Sequence, residues 1–334
     1  MRRCLAACCA TFALLLPAVS HAAITPEARA VVQRYLEASG GAAAFAAEST
    51  SYVHAKVFAF GFEGTFASWA ARPGRRYART ELGPFKLEEG SDGTTAWRTD
   101  PTTGVIRPLA DHDLADALES TWFELERWAE PGEGGGNVAL AAHEKDATAS
   151  YTVLEVSAPD LTGKGAPAKP RRLWFRDSDG LVVRTITRDD QREVTTTLSG
   201  HEKRAGRVRG MISETVVASM PANKLRTVAD TVLANVSMAG LPFTPPKSDA
   251  AGDAVQWLGS KGVARLPFEY RARHVWLKAR VNGGAPDHFL FDTGASVTVL
   301  DSAWAAEQGI QTTGRMQAAG AGASGGATFA TLDS

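Results

Sequence analysis

The sequence predicts an α+β protein in two parts: a curved antiparallel sheet wrapped on one long amphipathic helix, then a smaller all-β unit. Three observations predict it. Between Ser51 and Asn235, apolar and β-branched residues alternate with period two, in short runs separated by turn clusters. One stretch at helical spacing interrupts them: Leu114, Ala117, Leu118, Trp122, Leu125 and Trp128. A small, polar stretch (248–264) then reads as a linker before a second alternating region at 265–334. About ten strands and one apolar helix face are satisfied together when the sheet curves around the helix.

The elements follow in order. Residues 1–22 have the parts of a signal peptide: Arg2 and Arg3, an apolar core from Leu5 to Leu16, Pro17, and a Ser20-His21-Ala22 cleavage site. That core is too short for a membrane span. The mature chain is therefore expected to be exported, periplasmic or secreted, with no transmembrane anchor. Leu5-Ala6-Ala7-Cys8 resembles a lipobox, but a lipobox cysteine follows the apolar core, and few residues precede Cys8. Cys4, Cys8 and Cys9 are the only cysteines. The mature chain thus has no disulfide, cysteine nucleophile or cysteine metal site. Net charge is −1 with both signs scattered, so nucleic acid is not an expected partner.

Thr25-Pro26-Glu27 starts a helix that Gly40-Gly41 ends, and a short Ala-rich helical turn follows at 42–48. Strands are expected at 51–60, 65–71, 75–81, 85–89 and 94–99, joined by turns such as Ser91-Asp92-Gly93 and Asp100–Gly104. The long helix comes next, with Asp113 as its cap and the glycines of 132–136 as its end. Further strands fall at 138–143, 151–157, 171–175, 181–187, 193–198, 207–217 and 227–235, and residues 241–246 close the series.

In order and phrasing, residues 23–247 resemble the LolA/LolB-like lipoprotein-carrier fold: a hairpin run, then "GSDGTTAWRTDPTTGVIRPL", a helix, and "RRLWFRDSDGLVVRT". The resemblance implies a half-barrel with a lipid or acyl ligand. The plainer reading of the apolar helix face is packed core.

The chemistry-bearing motif is Asp292-Thr293-Gly294, delivered by an apolar strand (288–291) and followed by a second apolar stretch and a short helix at 302–308. Without those flanks, a turn aspartate would be the plainer reading. With "FLFDTGASVTVLD" and the Gly-rich "RMQAAGAGASGGATFATLDS", residues 265–334 resemble the retropepsin-like aspartic peptidases, in particular bacterial exported members. The resemblance implies an acid-protease-like lobe acting on a peptide or protein substrate. Asp292 is then the catalytic residue, sharing a proton with a second carboxylate. Thr293, Gly294, Ala295 and Ser296 support its loop, and Gly320, Gly322, Gly325 and Gly326 belong to a substrate-covering flap. Ala295 offers no hydroxyl to the carboxylates, so activity nearer neutral pH is expected. No metal or organic cofactor is implied.

The chain has no second Asp-Thr-Gly or Asp-Ser-Gly, so the partner Asp292 is expected from another copy in a homodimer. The resemblance also implies further strands after the flap, none of which follows Ser334. The lobe is therefore expected to be incomplete and the fragment inactive alone. The alternative is an exported lipid- or peptide-binding protein with a non-catalytic lobe. A literal G-x-G-x-x-G at 320–325 lacks the preceding apolar strand and following helix of a dinucleotide site. Asp111-His112-Asp113 reads as a helix start rather than a metal site.

Overall fold

The computed structural model describes residues 23–101, 104–165, 169–188, 192–246, 265–293, 298–319 and 324–332. The expected signal segment 1–22 and linker 248–264 lie outside the described residues. The chain opens on β1 (Ala23–Ile24) and α1 (Pro26–Ala38). Thr25 caps α1, its hydroxyl accepting from the Ala28 N–H at 3.3 Å. Pro26 takes the first helical position, where the missing N–H costs no intrahelical bond. α2 (Ala42–Ala47) follows.

A first meander comprises β2 (Thr50–Ala59), β3 (Phe62–Ala71), β4 (Arg75–Leu82), β5 (Phe85–Ser91), β6 (Ala96–Thr99) and β7 (Ile106–Pro108). α3 (Asp111–Glu124) leads to a second one. This comprises β8 (Asn137–Lys145), β9 (Ser150–Ser157), β10 (Arg171–Arg176), β11 (Val182–Arg188), β12 (Glu193–Arg204), β13 (Arg207–Val217) and β14 (Met220–Ala234). The seam is β14 against β2, running from Arg226 opposite Phe58 to Ala234 opposite Ser51. The result is one open, curved 14-stranded sheet, antiparallel except where β1 lies beside β8.

The main core lies between the helices and β8–β11. Val32 and Tyr35 of α1, Phe45 of α2 and Trp122 of α3 pack with Leu154, Leu173 and Phe175. Trp122 is buried and donates its indole N–H to the Gly134 carbonyl at 3.2 Å, so this part of the α3 face is packed core. Across the first meander, Tyr52, Trp69, Tyr77, Gly90 and Trp97 form one cross-strand row. Successive ring centroids lie 4.9, 5.6 and 6.3 Å apart. Gly90 is required there: a Cβ would stand 2.3 Å from the Trp97 indole nitrogen. That nitrogen donates to the Pro242 carbonyl at 3.1 Å, so the segment after β14 straps the row.

Some local expectations are corrected. The long helix follows β7, a short strand that the sequence pattern does not reveal, rather than the expected strand at 94–99. Its N-cap is Ala110, which has no side-chain cap bond, while Asp113 sits in the first turn where its charge suits the helix dipole. The helix ends at Glu124, and Trp128 lies on a separate 3-10 turn (Arg127–Ala129) entered through Glu126 at φ 52°. Residues 241–246 form no strand.

Turn carboxylates couple this fold to pH. Asp146 accepts hydrogen bonds from the Thr148 hydroxyl, the Thr148 N–H and the Ala149 N–H, which hold its carboxyl down at about 2. Asp160 is held low by the Thr162 hydroxyl and by the Gly165 N–H and its neighbours. A carboxyl depressed in the folded state stabilises it above the unfolded value of about 3.9, and that contribution is lost as pH falls towards 2. The half-barrel should therefore show a lower urea midpoint at pH 2.5 than at pH 6. Asp146→Asn should flatten that difference; an unchanged pH slope in the variant would refute the assignment.

Candidate active site

The second region builds a small antiparallel sheet from β15 (Phe268–Arg271), β16 (His274–Ala279) and β17 (Asp287–Phe291). Asn282 (φ 50°) and Gly283 (φ 70°) turn the chain between β16 and β17, as the Asn-Gly pair favours. Phe268, Tyr270, Val275, Leu277, Phe289 and Phe291 share one face by register. Of these, Phe268, Tyr270 and Phe291 are exposed, as is Val299 beyond the loop.

Asp292 follows directly on β17, at the C-terminal end of an edge strand, and is exposed with Thr293. Gly294, Ala295 and Ser296 lie outside the described residues. The far side of the loop is anchored by α4 (Ser302–Glu307). Asp301 caps α4, accepting from the Trp304 N–H at 2.9 Å. Trp304 reaches back to β17: its indole N–H donates to Asp287 Oδ2 at 2.8 Å, and its ring meets Phe289 edge-on at 6.1 Å. Both ends of the Asp292 loop are thereby tied to one strand. Asp287 and Asp301 are each engaged in placing Trp304, so neither stands as a second carboxylate for Asp292. The sequence reading missed this anchor, although Asp301 ahead of a short helix is a legible cap signal.

The candidate flap is the hairpin of β18 (Thr312–Ala319) and β19 (Ser324–Ala330). Gly325 and Gly326 fall within β19, opposite Ala318 and Gln317; Gly320 and Gly322 lie outside the described residues. The hairpin rests on the half-barrel. The first six residues of β14 run past the end of β2, and β18 fills this notch. The Gln317 N–H donates to Asn223 Oδ1 and the Gln317 carbonyl accepts from Asn223 Nδ2, both at 2.7 Å. The Arg315 N–H donates to the Phe60 carbonyl at 2.8 Å. Phe329 contacts Phe60, Phe62 and Phe85 at centroid distances of 5.8, 5.8 and 5.0 Å.

Aromatic pairs of this kind contribute roughly 0.5–1.5 kcal/mol each. Phe329→Ala should thus loosen the hairpin, raising amide exchange over 312–319 about tenfold or more without shifting half-barrel melting. Unaltered exchange would mean that the polar contacts alone hold it.

His288 pairs with Glu269 across the small sheet at 3.2 Å and holds that carboxyl low. His112 and Asp116 both meet Lys169, each at 3.0 Å, so the 111–113 cluster is tied into surface ion pairs. No helix among the described residues is long and apolar enough to cross a membrane.

An aspartyl protease family model matches residues 277–333. Among solved structures, the chain is similar to a DUF1329 family protein from Desulfovibrio piger: 13% identity, 66% of this chain and 98% of that chain, TM-score 0.45. It is also similar to a putative outer membrane lipoprotein-sorting protein domain from Vibrio parahaemolyticus: 9% identity, 65% and 96%, TM-score 0.43. A LolA superfamily protein from Nitrosomonas europaea gives 12% identity, 63% and 94%, and TM-score 0.44. No curated protein matches the chain.

Proposed function

We propose that this is an exported aspartic endopeptidase whose C-terminal lobe (265–334) works as a homodimer, each copy supplying one Asp292. The observation that carries the reading is an Asp-Thr-Gly motif at the C-terminal end of a strand, with its loop tied back to that strand through Trp304. The family-model match over the same residues supports it. One carboxylate takes a proton from water, whose oxygen adds to the substrate carbonyl. The other, protonated, donates to the carbonyl oxygen, and collapse of the adduct expels the amine with a proton. Thr293 and residues 294–296 hold the loop, and the β18–β19 hairpin covers the peptide. The exposed apolar residues beside Asp292, Phe291 and Val299, are surface that a second copy would cover.

The test is concentration dependence in the complete exported polypeptide. Specific activity on an unfolded protein substrate should rise with enzyme concentration and plateau as the dimer saturates. Constant specific activity in a demonstrably monomeric preparation would overturn the shared-site mechanism.

One observation favours a second reading, an exported binding protein with a non-catalytic lobe: the hairpin is held by the half-barrel. Under that reading the purified protein carries a lipid or peptide in the N-terminal domain (23–247) and lacks hydrolytic activity at every concentration.

A further inference from the structure

An extended peptide docks on a strand edge by pairing with its main-chain N–H and C=O groups. On β18 those groups of Gln317 are already engaged. The Gln317 N–H donates to Asn223 Oδ1 and its carbonyl accepts from Asn223 Nδ2, both at 2.7 Å. A carboxamide carries the donor and acceptor of a peptide unit, so Asn223 presents to β18 what one residue of an added strand would present. Two residues earlier, the Arg315 N–H donates to the Phe60 carbonyl at 2.8 Å. The Ala222 N–H reaches the Gln317 side-chain oxygen at 3.4 Å. The other strand of the hairpin is held as well, because Phe329 of β19 sits against Phe60, Phe62 and Phe85. The fit is close: Gly314 has φ 65°, and a Cβ there would stand 2.5 Å from the Phe62 ring.

We propose that the half-barrel is a built-in latch on the peptidase lobe: by occupying the Gln317 edge of β18, it competes with the peptide substrate for the hairpin. This rests on the peptidase reading, with the hairpin as its flap. Half-barrel and peptide cannot share that edge, since Gln317 has a single main-chain N–H and pairing it with a peptide breaks its bond to Asn223. A flap must also move to admit and release a peptide. A hairpin held through both strands moves only after Phe329 leaves Phe60, Phe62 and Phe85. The chain then has two states, one with the hairpin docked on the half-barrel and one with it released. Peptide binds the released fraction alone, and its apparent affinity is lowered by that fraction.

Asn223→Leu in the complete polypeptide tests this, since it keeps the side-chain size and removes both hydrogen bonds to Gln317. Above the concentration that saturates the dimer, KM for a peptide substrate should fall about tenfold, with kcat close to that of the parent. Amide exchange over 312–319 should rise in parallel, and an unchanged melting temperature certifies the half-barrel. Phe85→Ala, which removes one ring beside Phe329, should shift KM and exchange in the same direction. Faster exchange with KM unchanged or raised would overturn the latch: Asn223 would then support the working flap, and the chemistry at Asp292 would stand. Unaltered exchange in both variants would overturn it too, because these contacts would not be what holds the hairpin. Absence of hydrolysis in the parent and in both variants, with the hairpin shown to be freed, would remove the peptidase reading and the latch with it.

Discussion

Asp292→Asn is expected to reduce peptide hydrolysis by the complete polypeptide roughly 10⁴-fold or more, with half-barrel melting unchanged. The effect is large because, in the proposed symmetric dimer, one substitution removes both carboxylates. An amide can neither take the proton from the attacking water nor share one across the pair. Stability should not follow, because Asp292 is an exposed residue beyond the end of β17, and the contacts that anchor its loop run through Asp287, Asp301 and Trp304. Mixed dimers sharpen the test. Adding Asp292→Asn protein to the parent should lower total activity as mixed dimers form, since each holds a single carboxylate. Activity retained by the variant, or insensitivity of the parent to pepstatin, would remove Asp292 from the mechanism.

Much of the architecture was legible because it is written locally. Thr25-Pro26 specifies a helix start through one hydroxyl and one absent N–H, and the structure uses both. The hairpins of β3–β4 and β5–β6 follow from alternation broken by turn residues. What escaped is long-range or polar. Nothing near Trp97 says that its indole will meet the Pro242 carbonyl, 145 residues on. The Tyr52–Trp69–Tyr77–Trp97 row becomes visible only once four strand registers are fixed. The candidate site divides the same way. Asp292 was readable from a motif and its flanking strand. The seating of the hairpin on Phe60, Phe62, Phe85 and Asn223 was not, because it joins segments separated in sequence by more than 90 residues. Charged residues are the least legible: nothing local in the sequence tells that Glu126 joins Tyr35 and Arg207 in one network.

That network carries the second large prediction: Arg207→Met should destabilise the half-barrel by about 3–5 kcal/mol, a drop in Tm of roughly 6–20 °C for a unit of this size. Arg207 is 2% exposed. Its guanidinium bonds Glu126, approaches Glu48 at 3.5 Å and lies over the Phe45 ring at 4.6 Å. Tyr35 donates its hydroxyl to the other Glu126 oxygen at 2.8 Å. One side chain on β13 thus gathers α1, α2, the residue after α2 and the entry to the 3-10 turn. Burial alone would push the Glu126 carboxyl up, but the Arg207 and Arg209 charges outweigh it and hold it low. Burial, then the Glu126 charge, push the Tyr35 hydroxyl well up. Removing Arg207 leaves the partly buried Glu126 ionised without its nearest counter-charge, and Arg209 already serves Glu48. The loss should be larger than that from Arg172→Met, whose exposed pair with Glu155 contributes about 0–1 kcal/mol. Replacing Arg207 and Glu126 together by apolar residues should recover part of the loss, because the desolvation cost leaves with the charges. Urea unfolding of the two single variants and the double variant decides it. Additive losses would mean that Arg207 acts through packing on Phe45 rather than through the ion pair.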